Sequence, residues 1–153
     1  DGYVGCVFFS MCEPDVRTVM RWPGTMIGSD ASSVAPYGTL GDGKPHPRAY
    51  GTFARVLGHY VREAGLLSWP EAVHKMTAQP AARVGLRDRG EVRPGAFADL
   101  VVLDPATIAE RATFADPHRY AAGVEHVFVN GVAVIRWGEH TGALPGRVLR
   151  RGT

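Results

Sequence analysis

The ten residues HVFVNGVAVI, at positions 126–135, leave little freedom in how the chain can fold. Apolar, β-branched and aromatic side chains lie on both sides of Asn130-Gly131, a pair that readily takes positive φ at both central positions of a two-residue turn. The stretch reads as a β-hairpin. Upstream, Pro94-Gly95 meets the demands of a type II turn and is followed by the strand DLVVLD at 99–104. Residues 107–122 carry mixed signals, one turn of helix and irregular chain, and the end beyond Trp137 is polar and rich in turn residues.

The first half follows a different logic. GYVGCVFFSM at 2–11 reads as a buried strand, too short and too apolar for a helix of its own. EPDVRTVMRWP then has the acids and proline of a helix first turn, with Val16, Val19 and Met20 on one face, and Pro23-Gly24 stops it. TMIGSD at 25–30 is a second short strand, so a βαβ unit and a parallel sheet are expected. A long Gly/Pro/Ser-rich loop follows, and loops of that length in a compact domain are usually functional or mobile. From Gly51, Phe53, Val56, Leu57, Tyr60 and Val61 recur with helical spacing. Ser68 and Glu71 stand at capping-box spacing before a helix that Pro80 is expected to end. The character of the chain therefore changes near Gly85, from α/β before it to hairpins after it.

Charge and composition exclude several classes of function. The 153 residues are 45% hydrophobic, with 17 Lys and Arg against 15 Asp and Glu, a net charge of +2 too balanced for a nucleic-acid surface. No apolar run approaches the roughly 18 residues that span a bilayer, so no membrane partner is expected. Arg147, Arg150 and Arg151 read as a solvated tail. Cys6 and Cys12 have neither disulfide-framework nor zinc-knuckle spacing, which points to a reducing, cytoplasmic setting. The chain begins at Asp1 and enters an apolar run at Val4, and reads as part of a longer protein.

Among residues able to do chemistry, Asp30 leads. A carboxylate in the last position of a buried strand points into the reaction chamber of an α/β barrel, where loops at the strands' carboxyl ends build the site, and Gly28 beside it would let a ligand approach closely. Arg48 in PHPR can grip a carboxylate through two parallel hydrogen bonds; the plainer reading pairs it with a surface acid such as Asp42. His46 reads as a loop-structuring residue, because Asp30 and His46 alone cannot complete a zinc site. His59 and His74 fall on helices, and His118, His126 and His140 share no metal spacing. Met20 and Met76 read as core, and Trp22, Trp69 and Trp137 as packing residues. No phosphate-binding glycine loop occurs, and Ser29, Ser32 and Ser33 lack the setting of a hydrolase nucleophile.

TMIGSD, PHPR, GTFARVLGHYVRE, SWPEAVHKMTAQPAARVGL, RGEVRPGAFADLVVLDP, VFVNGVAV and GEHTGALPGRVLR, taken in that order, resemble the carboxy-terminal third of the D-aminoacylase (N-acyl-D-amino-acid deacylase) branch of the amidohydrolases. The likeness covers nearly the whole chain; the loop between Asp30 and His46 departs from it by being longer. The resemblance implies an α/β fold in which residues 1–85 are the last βα units of a metal-dependent (β/α)8 barrel and residues 86–153 part of a small C-terminal β-sandwich and tail. It implies zinc as cofactor, held by upstream ligands and by none of these residues. Asp30 matches the family's proton-shuttling aspartate and Arg48 its carboxylate-binding arginine, acting on a small N-acyl-D-amino acid. Another cyclic-amide or N-acyl-amino-acid amidohydrolase, or a non-catalytic scaffold of this fold, are the alternatives. The chain by itself is expected to be catalytically silent, with unpaired strand edges prone to self-association.

Overall fold

The computed structural model describes Cys6 and residues 8–151. Helix α1 spans Glu13–Arg21, with a proline in its first turn, Glu13 and Asp15 at the positive end of the helix dipole and Arg21 at the negative end. It buries Met20, as its periodicity predicts. Helix α2, Arg48–Arg55, runs directly into a π-helical segment, Val56–Glu63. The wider winding shows in the Ala64 N–H, which bonds to the His59 carbonyl five residues back at 2.8 Å. The expected helix is therefore present but starts three residues earlier. Val56, Leu57, Tyr60 and Val61 are buried as expected, while Phe53 stays exposed.

Helix α3, Trp69–Met76, opens with the capping box that the sequence announces. The Glu71 N–H donates to Ser68 Oγ at 3.4 Å, and the Ser68 N–H donates to Glu71 Oε2 at 2.8 Å. The Ser68 hydroxyl, which donates to Glu71 Oε2 at 2.6 Å, and then the Ser68 backbone N–H hold the Glu71 carboxyl below its ordinary 4.5. Replacing Ser68 with Ala is expected to lower stability by ~1 kcal/mol at neutral pH. Because Glu71's pKa is depressed, its contribution is complete above 4.5 and is lost as pH falls through the lower folded value. Thermal melts of the two proteins should differ at pH 7 and draw together as Glu71 is protonated.

Pro80 does not end this helix. The break comes earlier, at Thr77 (φ −130°, ψ −85°), and α4, Ala78–Val84, begins at once with Pro80 in its first turn, where a missing N–H is tolerated. Gly85, at φ 81°, closes it.

The described residues form one four-stranded antiparallel sheet in the order β1 (Leu100–Leu103), β2 (Val124–Val129), β3 (Val132–Arg136), β4 (Glu139–His140). Asn130 (φ 50°) and Gly131 (φ 80°) make the expected two-residue turn between β2 and β3. Its tip docks on the preceding loop: the Asn130 N–H donates to Asp99 Oδ1 at 2.8 Å and Arg89 donates to Asn130 Oδ1 at 2.5 Å. Gly95 at φ 83° and the Ala96 N–H to Arg93 O bond confirm the type II turn. A second two-residue turn, at Trp137-Gly138 (φ 53° and 81°), joins β3 to β4 and has no comparably strong signature in sequence.

Two expectations need correction. Residues 25–30 enter no strand ladder, because the Ile27 N–H is taken by the Lys75 carbonyl at the end of α3 instead of by a neighbouring strand. Residues 2–5 and 7 of the expected first strand lie outside the described residues, and Cys6 and 8–11 belong to no strand. No parallel βαβ sheet forms among the described residues. Trp69 packs against the core as expected, but Trp22 and Trp137 are 68% and 75% exposed. Among the described residues no helix is long and apolar enough to cross a membrane.

The irregular stretch 104–122 ties the two halves together. Ile108, 1% exposed, inserts among Val56, Leu57, Tyr60, Val61, Leu66, Leu67 and Ala72, a burial worth roughly 1.5–3 kcal/mol. Gly58 is what permits the approach: a Cβ there would stand 2.5 Å from the Ile108 carbonyl oxygen. Arg62 Nη1 donates to the same oxygen at 2.6 Å, and Arg55 pairs with Glu110.

Candidate active site

Asp30 owes its position to α3. Lys75, buried on that helix, donates from Nζ to Trp22 O at 2.5 Å, to Thr25 O at 3.0 Å and to Thr25 Oγ1 at 3.2 Å. Gln79 Nε2 adds a bond to Pro23 O at 2.9 Å. A burial of this kind is tolerable only because the ammonium's three donors all find oxygen. The turn after α1 is thereby fixed, and residues 25–30 extend from it to Asp30. There φ is 50°, in the left-handed region that Asp and Asn tolerate better than other side chains. This sharp change of direction sends the chain into the loop 31–47.

The loop returns at Arg48, the first residue of α2. His46 Nδ1 accepts the Arg48 N–H at 3.0 Å, and its ring stands edge-on to Phe114 at 5.0 Å between centroids. Burial, and then the neighbouring Arg48 charge, push the His46 pKa below its ordinary 6.5. The neutral ring that results is the form able to accept at Nδ1. His46 thus structures the loop, as expected.

Arg48 Nη2 lies 3.1 Å from Asp30 Oδ2, with side chains 44% and 88% exposed. Arg48 is paired with Asp30 and not with Asp42. The two face a cleft of about 210 Å³ whose wall includes Ser32, Val34, Pro45 and His46. Exposed ion pairs contribute about 0–1 kcal/mol, so the pair adds little to the fold. Both expected site residues are therefore brought together. The enclosed chamber is not: among the described residues the Asp30 side chain remains 88% exposed, at the end of a segment without strand partners.

The donor set does not fit a metal. Among the described residues, no three His, Cys, Asp or Glu side chains stand close enough to hold one. Three of the histidines are otherwise engaged: His59 with Glu63 at 3.0 Å, His118 with Tyr50 and Gly43, and His140 Nδ1 with the Gly142 N–H. A larger cleft, about 280 Å³, lies between the π-helical segment and residues 109–110, but its Arg55 and Glu110, like its His59 and Glu63, are paired with each other. Lys75 and His118 were missed as site-building residues in sequence. Each works on partners about 50 to 75 positions away, which no local spacing announces.

The family model described as "Amidohydrolase family" matches residues 12–135. A D-aminoacylase of Alcaligenes xylosoxydans xylosoxydans is 50% identical over 96% of this chain and 29% of its own length. The crystal structure of a D-aminoacylase described as defining a novel subset of amidohydrolases superposes with a TM-score of 0.86 at 51% identity, covering 94% of this chain and 29% of that one. An N-acyl-D-glutamate deacylase of Bordetella bronchiseptica, crystallised with zinc and a phosphonate mimic of the tetrahedral intermediate, gives a TM-score of 0.74 at 46% identity, over 82% of this chain and 25% of that one. The chain thus spans less than a third of the relatives it matches.

Proposed function

The chain belongs to the amidohydrolase family, and on that premise we propose that it serves the hydrolysis of N-acyl-D-amino acids, giving a carboxylate and a free D-amino acid, as part of a longer cytoplasmic enzyme. In this reading residues 1–85 supply the last βα units of a (β/α)8 barrel and residues 86–153 part of a small β-sandwich and tail. The remaining walls around Asp30 come from the part of the protein that corresponds to the rest of the relatives' length, more than two-thirds of it.

One observation carries the reading: Asp30 and Arg48 stand side by side, 3.1 Å apart, in the wall of one open cleft. In an N-acyl amino acid the amide nitrogen and the α-carboxylate hang on one carbon, so the group that serves the nitrogen and the group that grips the carboxylate must be neighbours. A carboxylate adjoining a guanidinium answers that demand. Among the described residues Arg48 meets Asp30 through Nη2 alone, leaving the second Nη2 N–H and the neighbouring Nε N–H to take the substrate's carboxylate side-on.

The chemistry follows from the poor leaving ability of an amide nitrogen. As a water oxygen bonds to the acyl carbon, Asp30 takes one of its protons; as the C–N bond breaks, Asp30 delivers that proton to the departing nitrogen. One carboxylate so serves as base and then as acid. Zinc, when bound, would lower the pKa of a water toward about 7, and would be held by ligands outside the described residues.

The test is hydrolysis by the full-length, zinc-loaded enzyme of matched N-acetyl-D- and N-acetyl-L-amino acids. Turnover confined to the D series, and absent for carboxamides lacking the free acid, is expected. Equal turnover of both series, or indifference to the carboxylate, would refute the proposal.

A further inference from the structure

The wall of the Asp30–Arg48 cleft is the loop 31–47, and what holds this loop comes from the other half of the chain. His118 spans two elements with its two ring nitrogens. Nε2 lies 3.0 Å from the Gly43 carbonyl in the loop, and Nδ1 lies 2.9 Å from the Tyr50 hydroxyl on α2, two residues after Arg48. A carbonyl can only accept, so Nε2 carries a proton and donates to Gly43, while Nδ1 pairs with the Tyr50 hydroxyl, which can give or take a hydrogen bond. One half-buried ring thereby satisfies both partners and ties the loop to the helix that presents Arg48. The bracing is repeated close by. Lys44 Nζ donates to the Ala115 carbonyl at 3.1 Å, and Phe114 stands edge-on to His46 at 5.0 Å. Tyr50 is further boxed by Tyr120, 5.7 Å between ring centroids.

We propose that His118 is a positioning residue for the active site, the centre of a strap formed by residues 113–120 that sets the placement of loop 31–47 and of Arg48. The inference rests on the function proposed for that cleft. Neither His118 nor any other residue of the strap lines the cleft, so the strap acts through the loop it holds. The loop contributes Ser32, Val34 and Pro45 to the wall and fixes the entry to α2 through His46. A strap that lets go therefore loosens the substrate-binding wall while Asp30, pinned separately through Lys75 and α3, keeps its place. Binding should suffer far more than the chemical step, since binding geometry lies with the strapped loop and proton transfer with the helix-pinned acid.

The experiment uses the full-length enzyme with His118→Leu, which removes both bonds, and His118→Gln, which keeps one donor and one acceptor. Two readouts are taken: backbone hydrogen exchange across residues 31–47, with α3 as internal reference, and the split of KM against kcat for an N-acyl-D-amino acid. His118→Leu is expected to speed exchange in the loop and leave α3 unchanged, and to raise KM on the order of tenfold with kcat nearly constant. His118→Gln should restore most of both. Unchanged loop exchange overturns the strap, and faster exchange with an unchanged KM, or a loss confined to kcat, overturns its role in positioning. If the unsubstituted enzyme turns over no N-acyl-D-amino acid, the proposed function fails, and the exchange readout still judges the strap.

Discussion

Replacing Asp30 with Asn in the full-length enzyme is expected to reduce kcat by about 10²–10⁴-fold, the range of a lost general acid–base group, with KM changed only a few-fold. Asn keeps the size of the side chain and tolerates the left-handed backbone at this position, so the fold has no reason to change. The Asp30 side chain is 88% exposed in this chain and its ion pair with Arg48 is of the weak, solvated kind. Stability should therefore be untouched, and the melting temperature of the variant is the control. What Asn cannot do is receive a proton from water and return it to nitrogen. Steady-state kinetics of the purified variant, with metal content measured alongside, separates loss of the proton carrier from loss of the metal. A kcat within about threefold of the unsubstituted enzyme would leave the proton transfer without its agent.

The second large effect should come from Arg48. Substitution by Met removes the donors that face the substrate's carboxylate, and a charged hydrogen-bonded contact of that kind is worth about 1.5–3 kcal/mol, so KM should rise roughly 10- to 100-fold. Lys should recover only part of the loss, because an ammonium is a point charge and cannot present two parallel donors. The more telling readout is discrimination. The unsubstituted enzyme should prefer the free acid to the matching carboxamide, and Arg48→Met should nearly erase that preference. If the preference survives intact, another residue grips the carboxylate, and the adjacency of Arg48 to Asp30 serves some other purpose.

Much of this could be read from the chain alone, and the rest fails for physical reasons. The Asn130-Gly131 hairpin, the Pro94-Gly95 turn and the Ser68–Glu71 cap were legible because each is a local event, decided by conformational freedom or hydrogen bonding within a few residues. The apolar face at Val56, Leu57, Tyr60 and Val61 was legible through its spacing, whereas the π-helical winding that carries it was not, since periodicity over two turns hardly separates the two geometries. Residues 25–30 looked like a strand because they are extended and apolar, yet a strand is made by its neighbours, and here α3 takes the available donor. The candidate site divides in the same way. Asp30 and Arg48 were found by resemblance, but their 3.1 Å approach depends on Lys75, His46 and His118, whose partners are set by tertiary packing. The exposed Trp137 shows the opposite failure: its bulk suggested a packing role, and the structure places it at φ 53° in a turn, edge-on to His126 at 4.4 Å.

The central claim is that a single amino acid bridges Asp30 and Arg48, nitrogen on one and carboxylate on the other. A crystal structure of the full-length enzyme with a bound D-amino acid product measures this directly. The account predicts the product's amino nitrogen within about 3.2 Å of an Asp30 carboxylate oxygen, with its carboxylate side-on to the Arg48 guanidinium. A product seated with its nitrogen away from Asp30, the Asp30–Arg48 pair still closed on itself, would contradict it.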